Sequence, residues 1–223
     1  MTDAPLVADK DSEGAPRLRV LSATYLRSGP TCDALGVSVA PEIAFVGRSN
    51  VGKSSLLNAL TRSTTLVRTS KTPGQTRSVN LFEVDLGRVS RSGEIGDRRK
   101  LVFADLPGYG FAHASKNDRA KLSRLISHYL GEREGLKAVV HLFDARHKAS
   151  AQDVEVFLEI ASLSAEHILV ATKVDKLVLS KRKLARKDVA APLGIPPESL
   201  LMFSSESGIG REALLLRLWD LAA

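Results

Sequence analysis

Eight consecutive residues, Gly47, Arg48, Ser49, Asn50, Val51, Gly52, Lys53 and Ser54, combine types and spacing that can hold a polyphosphate. Gly47 and Gly52 admit backbone angles that side chains resist, so successive N–H groups can curl around phosphate oxygens at the positive end of a following helix. Lys53 offers a point charge to the outer phosphates, and the Ser54 hydroxyl is placed to ligate Mg²⁺. A glycine-containing turn can match this GxxxxGK[ST] pattern by accident. Context argues otherwise: the apolar run Ile43 to Val46 ahead of it reads as a buried strand, and Leu56, Leu57 and Leu60 behind it share one face of a helix.

Three further stretches gain meaning from their order after that loop. Asp105-Leu106-Pro107-Gly108 follows an apolar strand, where an aspartate can hold Mg²⁺ through water and a glycine N–H can meet a terminal phosphate. Alone, DxxG is common; its position gives it weight. Thr72-Pro-Gly74-Gln75-Thr76 lies in a polar run, residues 63 to 77, long enough to be a switch loop. Thr76 is then the natural second protein ligand for the metal, although PGQT by itself is an ordinary turn signal. Thr172-Lys173-Val174-Asp175 closes another strand, and a carboxylate there can accept two hydrogen bonds from guanine while the Lys173 stem lies along the ring. Adenine leaves that acceptor unpaired, which costs on the order of 1–3 kcal/mol. Ser204-Ser205-Glu206 falls where a loop can buttress the base from the other side.

The elements that must position these groups follow from periodicity. Glu42 to Gly47, Val79 to Leu86, Leu101 to Ala104, Lys137 to Asp144, His167 to Thr172 and Leu200 to Phe203 read as strands. Helices are expected at Lys53 to Arg62, at Asp118 to Leu130, at Ala151 to Leu163 through Val154, Phe157, Leu158 and Leu163, at Ser180 to Ala190, and at Arg211 to Leu221. The second and third strands are joined by a segment too short for a helical crossover and should pair antiparallel. The fold class is therefore α/β, a doubly wound, mostly parallel sheet with one antiparallel edge pair. Residues 17 to 40 read as a short helix or edge strand beside the first core strand. The segment 87 to 100, with Arg88, Arg91, Arg98, Arg99 and Lys100, reads as a basic loop tip, either solvated or touching RNA. The basic helix from Ser180 reads as a solvated face.

The bulk properties are compatible with one α/β domain over 17–223 preceded by a disordered tail to Pro16. A single cysteine, Cys32, excludes an internal disulfide and suits a reducing cytosol. No apolar run approaches bilayer length and the start has no signal-peptide core, so a cytoplasmic protein is expected. There is no Cys/His metal cluster and no Ser-His-Asp arrangement, and the five histidines are scattered. The net charge of +7 serves either solubility or attraction to polyanions such as RNA.

Taken together, GRSNVGKS, TPGQT, DLPG, TKVD and FSSE are similar to the nucleotide motifs of the translation-factor-related GTPases, and FVGRSNVGKSSLLNAL, KTPGQTRSVNLFEV, DLPGYGFA, FDARH and TKVDKL resemble the EngB (YihA/YsxC) family of bacterial GTP-binding proteins. The resemblance implies a Ras-like sheet, GTP/GDP and Mg²⁺ binding, a role in assembling the large ribosomal subunit, and a need in cell division and septation. Its metal ligands are Ser54 and Thr76. Its phosphate contacts are Gly47 to Ser54, Gly74 to Ser78 with Gln75 and Arg77, and Asp105 to Gly108; its base contacts are Thr172 to Asp175 and Phe203 to Ser205. Lys53, Thr76 and Gly108 are the expected catalytic contributors, and the protein is expected to be a monomer. Asn50 matches the asparagine of potassium-activated relatives, which implies K⁺ as a further ligand. Thr172 replaces the usual asparagine, and Tyr109 stands where many regulatory GTPases place a water-orienting glutamine. An unplaced water implies slow hydrolysis completed by a partner, for which the resemblance implies the large-subunit precursor with its rRNA and proteins. The rival reading is a GTP-binding division scaffold acting through protein contacts.

Overall fold

The structure is a computed structural model describing residues 17–38, 40–63, 66–67, 78–110 and 116–222. The sequence-derived tail to Pro16, the Thr72 to Thr76 loop with Arg77, and Phe111 and Ala112 lie outside the described residues. In chain order the elements are β1 (Arg17–Gly29), β2 (Glu42–Gly47), α1 (Lys53–Thr61), β3 (Val79–Val89), β4 (Ile95–Asp105), α2 (Lys116–Glu132), β5 (Leu136–Asp144), α3 (Ala151–Ala161), β6 (Glu166–Thr172), α4 (Leu179–Leu193), β7 (Leu200–Met202) and α5 (Arg211–Leu221).

They build one seven-stranded sheet in the order β1-β3-β4-β2-β5-β6-β7. β2 pairs parallel with β4 on one side, Ala44 opposite Ala104, and with β5 on the other, Phe45 opposite Val140. Because the chain leaves β2 first to one side and then to the other, the carboxyl ends of β2, β4, β5 and β6 share one edge with a crevice at the switch point. That edge holds Gly47, Asp105, Asp144 and Thr172.

Alternation along the strands sends side chains to two cores. Ile43, Phe45, Val140, Leu142, Ile168 and Val170 pack against Leu56, Leu57 and Leu60 of α1 and against Leu214, Leu215, Leu218 and Trp219 of α5. On the opposite face, Ala44, Val46, Val102, Ala104 and Val139 meet Leu125, Ile126 and Tyr129 of α2 and Ile160 of α3. Farther along that face Leu169 and Ala171 meet Val189, Ala190 and Leu193 of α4. Cys32 is buried in the α2-side core as a small packing residue. Leu158, expected inward on α3, is 61% exposed, and Ile160 takes the core position.

Two parts of the sheet differ from expectation. The lead-in forms a strand, but β1 pairs antiparallel with β3 and not with the first core strand, which adds a second antiparallel ladder at that edge. The basic segment after Leu86 is largely strand: β3 and β4 run on to Val89 and back from Ile95, leaving a tight turn at 90–94. Two of its cations lie over an aromatic ring, Arg99 half-buried and Arg88 still exposed. Arg99 lies over the Trp219 ring at 4.4 Å and donates from Nη1 to the Trp219 carbonyl at 2.8 Å, and Arg88 sits over the same ring at 5.4 Å. The guanidinium–indole attraction ties α5 to the hairpin.

At the amino end of β2, buried Glu42 accepts from the Tyr129 hydroxyl (2.6 Å) and from the Arg133 guanidinium. Burial works against its charge, and the bonds from Arg133, Ser38 and Tyr129 more than offset that, holding the carboxyl below its usual range.

Candidate functional site

The phosphate loop is shaped by backbone that two residues carry at positive φ, Asn50 at 62° and Gly52 at 106°. Gly52 is the N-cap of α1, and Leu56 N–H closes the first turn on its carbonyl at 2.8 Å. Gly47 has no room for a side chain: a Cβ there would stand 2.9 Å from Val51 and 3.0 Å from the Leu142 carbonyl oxygen. Ser54 follows on the first turn of α1, partly buried.

Lys53 and Asp105 are brought together at the carboxyl ends of β2 and β4, 8% and 1% exposed, as an ion pair. Asn80 Nδ2 reaches the other carboxylate oxygen at 3.5 Å. Downstream, Leu106 N–H donates to Phe45, Tyr109 N–H to Gly47, and Ser49 N–H to the Tyr109 carbonyl, at 3.3, 3.2 and 2.8 Å. Asp105 to Tyr109 thus runs as a short backbone zipper along the phosphate loop. Gly108 lies so close that a Cβ would meet Ser49 Cα and N at 3.1 Å, so any side chain there would push the two backbones apart by a few tenths of an ångström.

The third wall comes from the end of β6. The Thr172 hydroxyl lies 2.6 Å from the Val51 carbonyl and 3.0 Å from that of Phe143, tying the phosphate loop to β5. Lys173, at φ 60°, extends back so that Nζ donates to the Asn50 carbonyl (2.5 Å) and to Asp144 Oδ2 (2.8 Å). Asp144 also receives the Arg146 guanidinium at 2.7 and 2.9 Å. Burial opposes its charge, but the bonds from Arg146 and Lys173 hold its carboxyl well below the usual range.

Asp175 has one hydrogen-bonded oxygen and one held only by an ion pair. Oδ1 accepts from Ser204 Oγ at 2.7 Å, while Oδ2 is buried without a hydrogen bond; Lys176 Nζ stands 3.2 Å away in an ion pair that lacks hydrogen-bond geometry and donates instead to Glu206 at 2.9 Å. Ser204 is held in turn by the Glu206 and Ser207 N–H groups. Despite burial, the Ser204 and Lys176 contacts keep the Asp175 carboxyl below its usual range, so it is an acceptor at neutral pH. A buried, ionised oxygen without a donor fits a ligand edge carrying N–H groups.

The match to known proteins agrees with this geometry. Residues 42–173 match the family described as 50S ribosome-binding GTPase. A probable GTP-binding protein EngB of Anaeromyxobacter sp. (strain K) is 39% identical over 206 residues, covering 92% of this chain and 94% of that relative. The chain belongs to the EngB family of GTP-binding proteins. A crystal structure of a probable EngB shares the fold at TM-score 0.60 with 24% identity, over 81% of this chain and 98% of that one. Era, crystallised with MgGDPNP and nucleotides 1506–1542 of 16S ribosomal RNA, does so at TM-score 0.63 and 24% identity, over 84% of this chain and 58% of Era.

Against this EngB frame, the sequence-derived site residues divide into groups. Gly47 to Ser54, Asp105 to Gly108, Lys173, Asp175, Ser204 and Ser205 gather at the carboxyl edge of the sheet, with Ser78 at the entry to β3. Gly74, Gln75, Thr76 and Arg77 lie outside the described residues. Thr172, Val174 and Phe203 are buried scaffold by their side chains: Thr172 ties two backbones, Val174 joins the α4-side core and Phe203 the α1-side core. Phe203 acts through its main chain, accepting from Val174 N–H at 3.3 Å. Sequence reasoning gave Asp144 no role. Its signal was an acid at the end of a buried strand, at the edge where ligands of such sheets bind.

Two of the five histidines that look scattered in the sequence, His141 and His167, meet in the structure. Tyr109 turns its hydroxyl inward, donating to Asp153 Oδ1 at 2.8 Å and lying 2.8 Å from His141 Nε2; His167 Nε2 is 3.4 Å from His141 Nδ1. Burial, then the neighbouring His167, holds His141 well below its usual pKa, and burial pulls His167 down to about 4. Both are neutral near pH 7. The unfolded chain takes up protons at about pH 6.5 and the folded one does not, so stability is fully present above that pH and falls as the solution is acidified toward 4. Between pH 7.5 and 5.5 the two imidazoles should cost about 3 kcal/mol, read as a lower urea midpoint. His167→Gln should remove part of that slope.

Proposed function

We propose that the chain is a guanine-nucleotide switch that binds GTP with Mg²⁺, hydrolyses it slowly alone, and acts on the large ribosomal subunit precursor in the cytoplasm. The observation that carries the nucleotide reading is Asp175 Oδ2, buried without a hydrogen bond and met only by the Lys176 ion pair, at the same sheet edge as the phosphate loop. Guanine presents two N–H donors side by side, and a carboxylate accepts both. Lys173 bridges base and phosphate ends by bonding the Asn50 carbonyl.

Within that reading, the phosphate-loop N–H groups and Lys53 hold the outer phosphates, and Lys53 exchanges part of its attraction to Asp105 for the ligand. Ser54 and Thr76 are the proposed Mg²⁺ ligands. Among the described residues no group of three or more His, Cys, Asp or Glu can hold a metal, which suits an ion that takes most of its oxygens from phosphates and water. When bound, Mg²⁺ neutralises charge on the outer phosphates. K⁺ beside Asn50 is a further proposed ligand.

The Gly108 N–H is proposed to meet the terminal phosphate. Tyr109 does not orient the attacking water in this scheme, because its hydroxyl is engaged by Asp153 and His141. Turnover is therefore slow until a partner completes the site. Support for a ribosomal partner comes from the family description and from the net charge of +7. A role in large-subunit assembly, and through it in division and septation, follows from that partner. Sedimentation with large-subunit precursors should be stronger with a non-hydrolysable GTP analogue than with GDP and should weaken steeply with salt. Recruitment only to division-site proteins would favour the scaffold reading and overturn this one.

A further inference from the structure

Tyr109 is the residue after DLPG, and its environment is unusual for a nucleotide-responsive segment. Its main chain is sewn to the phosphate loop by two hydrogen bonds, Tyr109 N–H to Gly47 and Ser49 N–H to Tyr109. Its side chain is buried between β5 and α3. The hydrogen-bond directions there are fixed by elimination. Asp153 is an acceptor only, so Tyr109 O–H donates to it; Tyr109 oxygen must then accept from His141 Nε2–H, which leaves His141 Nδ1 to accept from His167 Nε2–H. Asp153 Oδ2 receives the Ser150 N–H and hydroxyl at 2.8 and 2.7 Å in a capping box that starts α3. Three bonds thus run in one sense from β6 through β5 and Tyr109 to Asp153, each polarising the next, and the start of α3 donates to the same carboxylate from the other side.

Resting on the nucleotide reading above, we propose that Tyr109 is a positioning residue for the terminal phosphate: gripped by Asp153 and His141, it pins Asp105 to Tyr109 onto the phosphate loop and so sets where the Gly108 N–H stands. Gly108 packs against Ser49 closely enough that a lost anchor one residue later lets that contact open. Movement can begin at Gly110, whose φ of 75° suits a hinge, while the residues before it stay in place. The anchor is in place without nucleotide, and it should matter to triphosphate affinity specifically, because GDP has no terminal phosphate for Gly108 to meet.

The test is Tyr109→Phe, which keeps the ring and removes the hydroxyl, and Asp153→Asn, which keeps the shape and neutralises the acceptor. Affinities for GDP and for a non-hydrolysable GTP analogue are measured for the full chain, each variant and the double variant. We expect GDP affinity within about twofold of the parent, analogue affinity lower by about 5–10-fold, and a double variant no worse than the weaker single one, as for residues acting through one contact. Equal losses for both nucleotides, or additive losses, would show that the network only supports the fold and would overturn the proposal; so would unchanged affinities in both variants. A parent chain that binds neither nucleotide would instead overturn the nucleotide reading.

Discussion

Asp175→Asn should weaken GTP binding by about 10²–10⁴-fold and raise affinity for xanthosine triphosphate. The parent carboxylate offers guanine two charge-assisted acceptors, worth about 1.5–3 kcal/mol each when desolvated, and losing both accounts for that range. The direction of the amide follows from Ser204. Its hydroxyl donates to Oδ1 at 2.7 Å, so the asparagine oxygen must occupy that position and the Nδ2 group falls where Oδ2 now stands without a hydrogen bond. A donor then faces the two donors of guanine, whereas xanthine presents a carbonyl in place of the exocyclic amine. The fold should survive, because the Ser204 contact and its two backbone donors are kept. Competition titration with both triphosphates reads the exchange; an unchanged GTP affinity would remove Asp175 from the base pocket.

The parts of this site legible in the sequence are those whose chemistry is local. The phosphate loop needs eight adjacent residues, and β2 and α5 begin and end where pattern puts them, Glu42–Gly47 and Arg211–Leu221. Each is a dense apolar element with little alternative use. β1 was not legible as to its neighbour. Only Leu18 and Gly29 along it are buried, and register shifts at Val20/Ser22 and Tyr25/Arg27 break the alternation that would mark a half-buried strand. The charged run at Arg98, Arg99 and Lys100 looked like loop because polar residues predominate, yet Lys100 pairs with Glu83 across the hairpin and Arg99 covers Trp219, 120 positions along the chain. Such partners are set by strand order, which no window of sequence contains. The Tyr109 network has the same cause: residues 141, 153 and 167 come from three elements and residue 109 from the loop after β4, and only the pairing of β5 with β6 puts His141 beside His167.

Lys53→Met is expected to reduce affinity for triphosphate by about 10²-fold and to abolish measurable hydrolysis, with two causes that experiment can separate. One is the missing charge at the outer phosphates, a contact of about 3 kcal/mol in a water-poor loop. The other is structural. Lys53 is the ion-pair partner of Asp105, which is 1% exposed and among the described residues is otherwise reached by the Asn80 side chain at 3.5 Å, so removing the ammonium leaves a buried carboxylate poorly compensated. That should lower stability by about 3–5 kcal/mol. Adding Asp105→Asn removes the stranded charge, and the double variant should regain most of the urea midpoint. Triphosphate affinity should not return, because neither substitution restores a cation to the loop. Recovery of both properties together would mean that Lys53 serves the fold alone; loss of binding that persists in a restabilised chain assigns its charge to the phosphates.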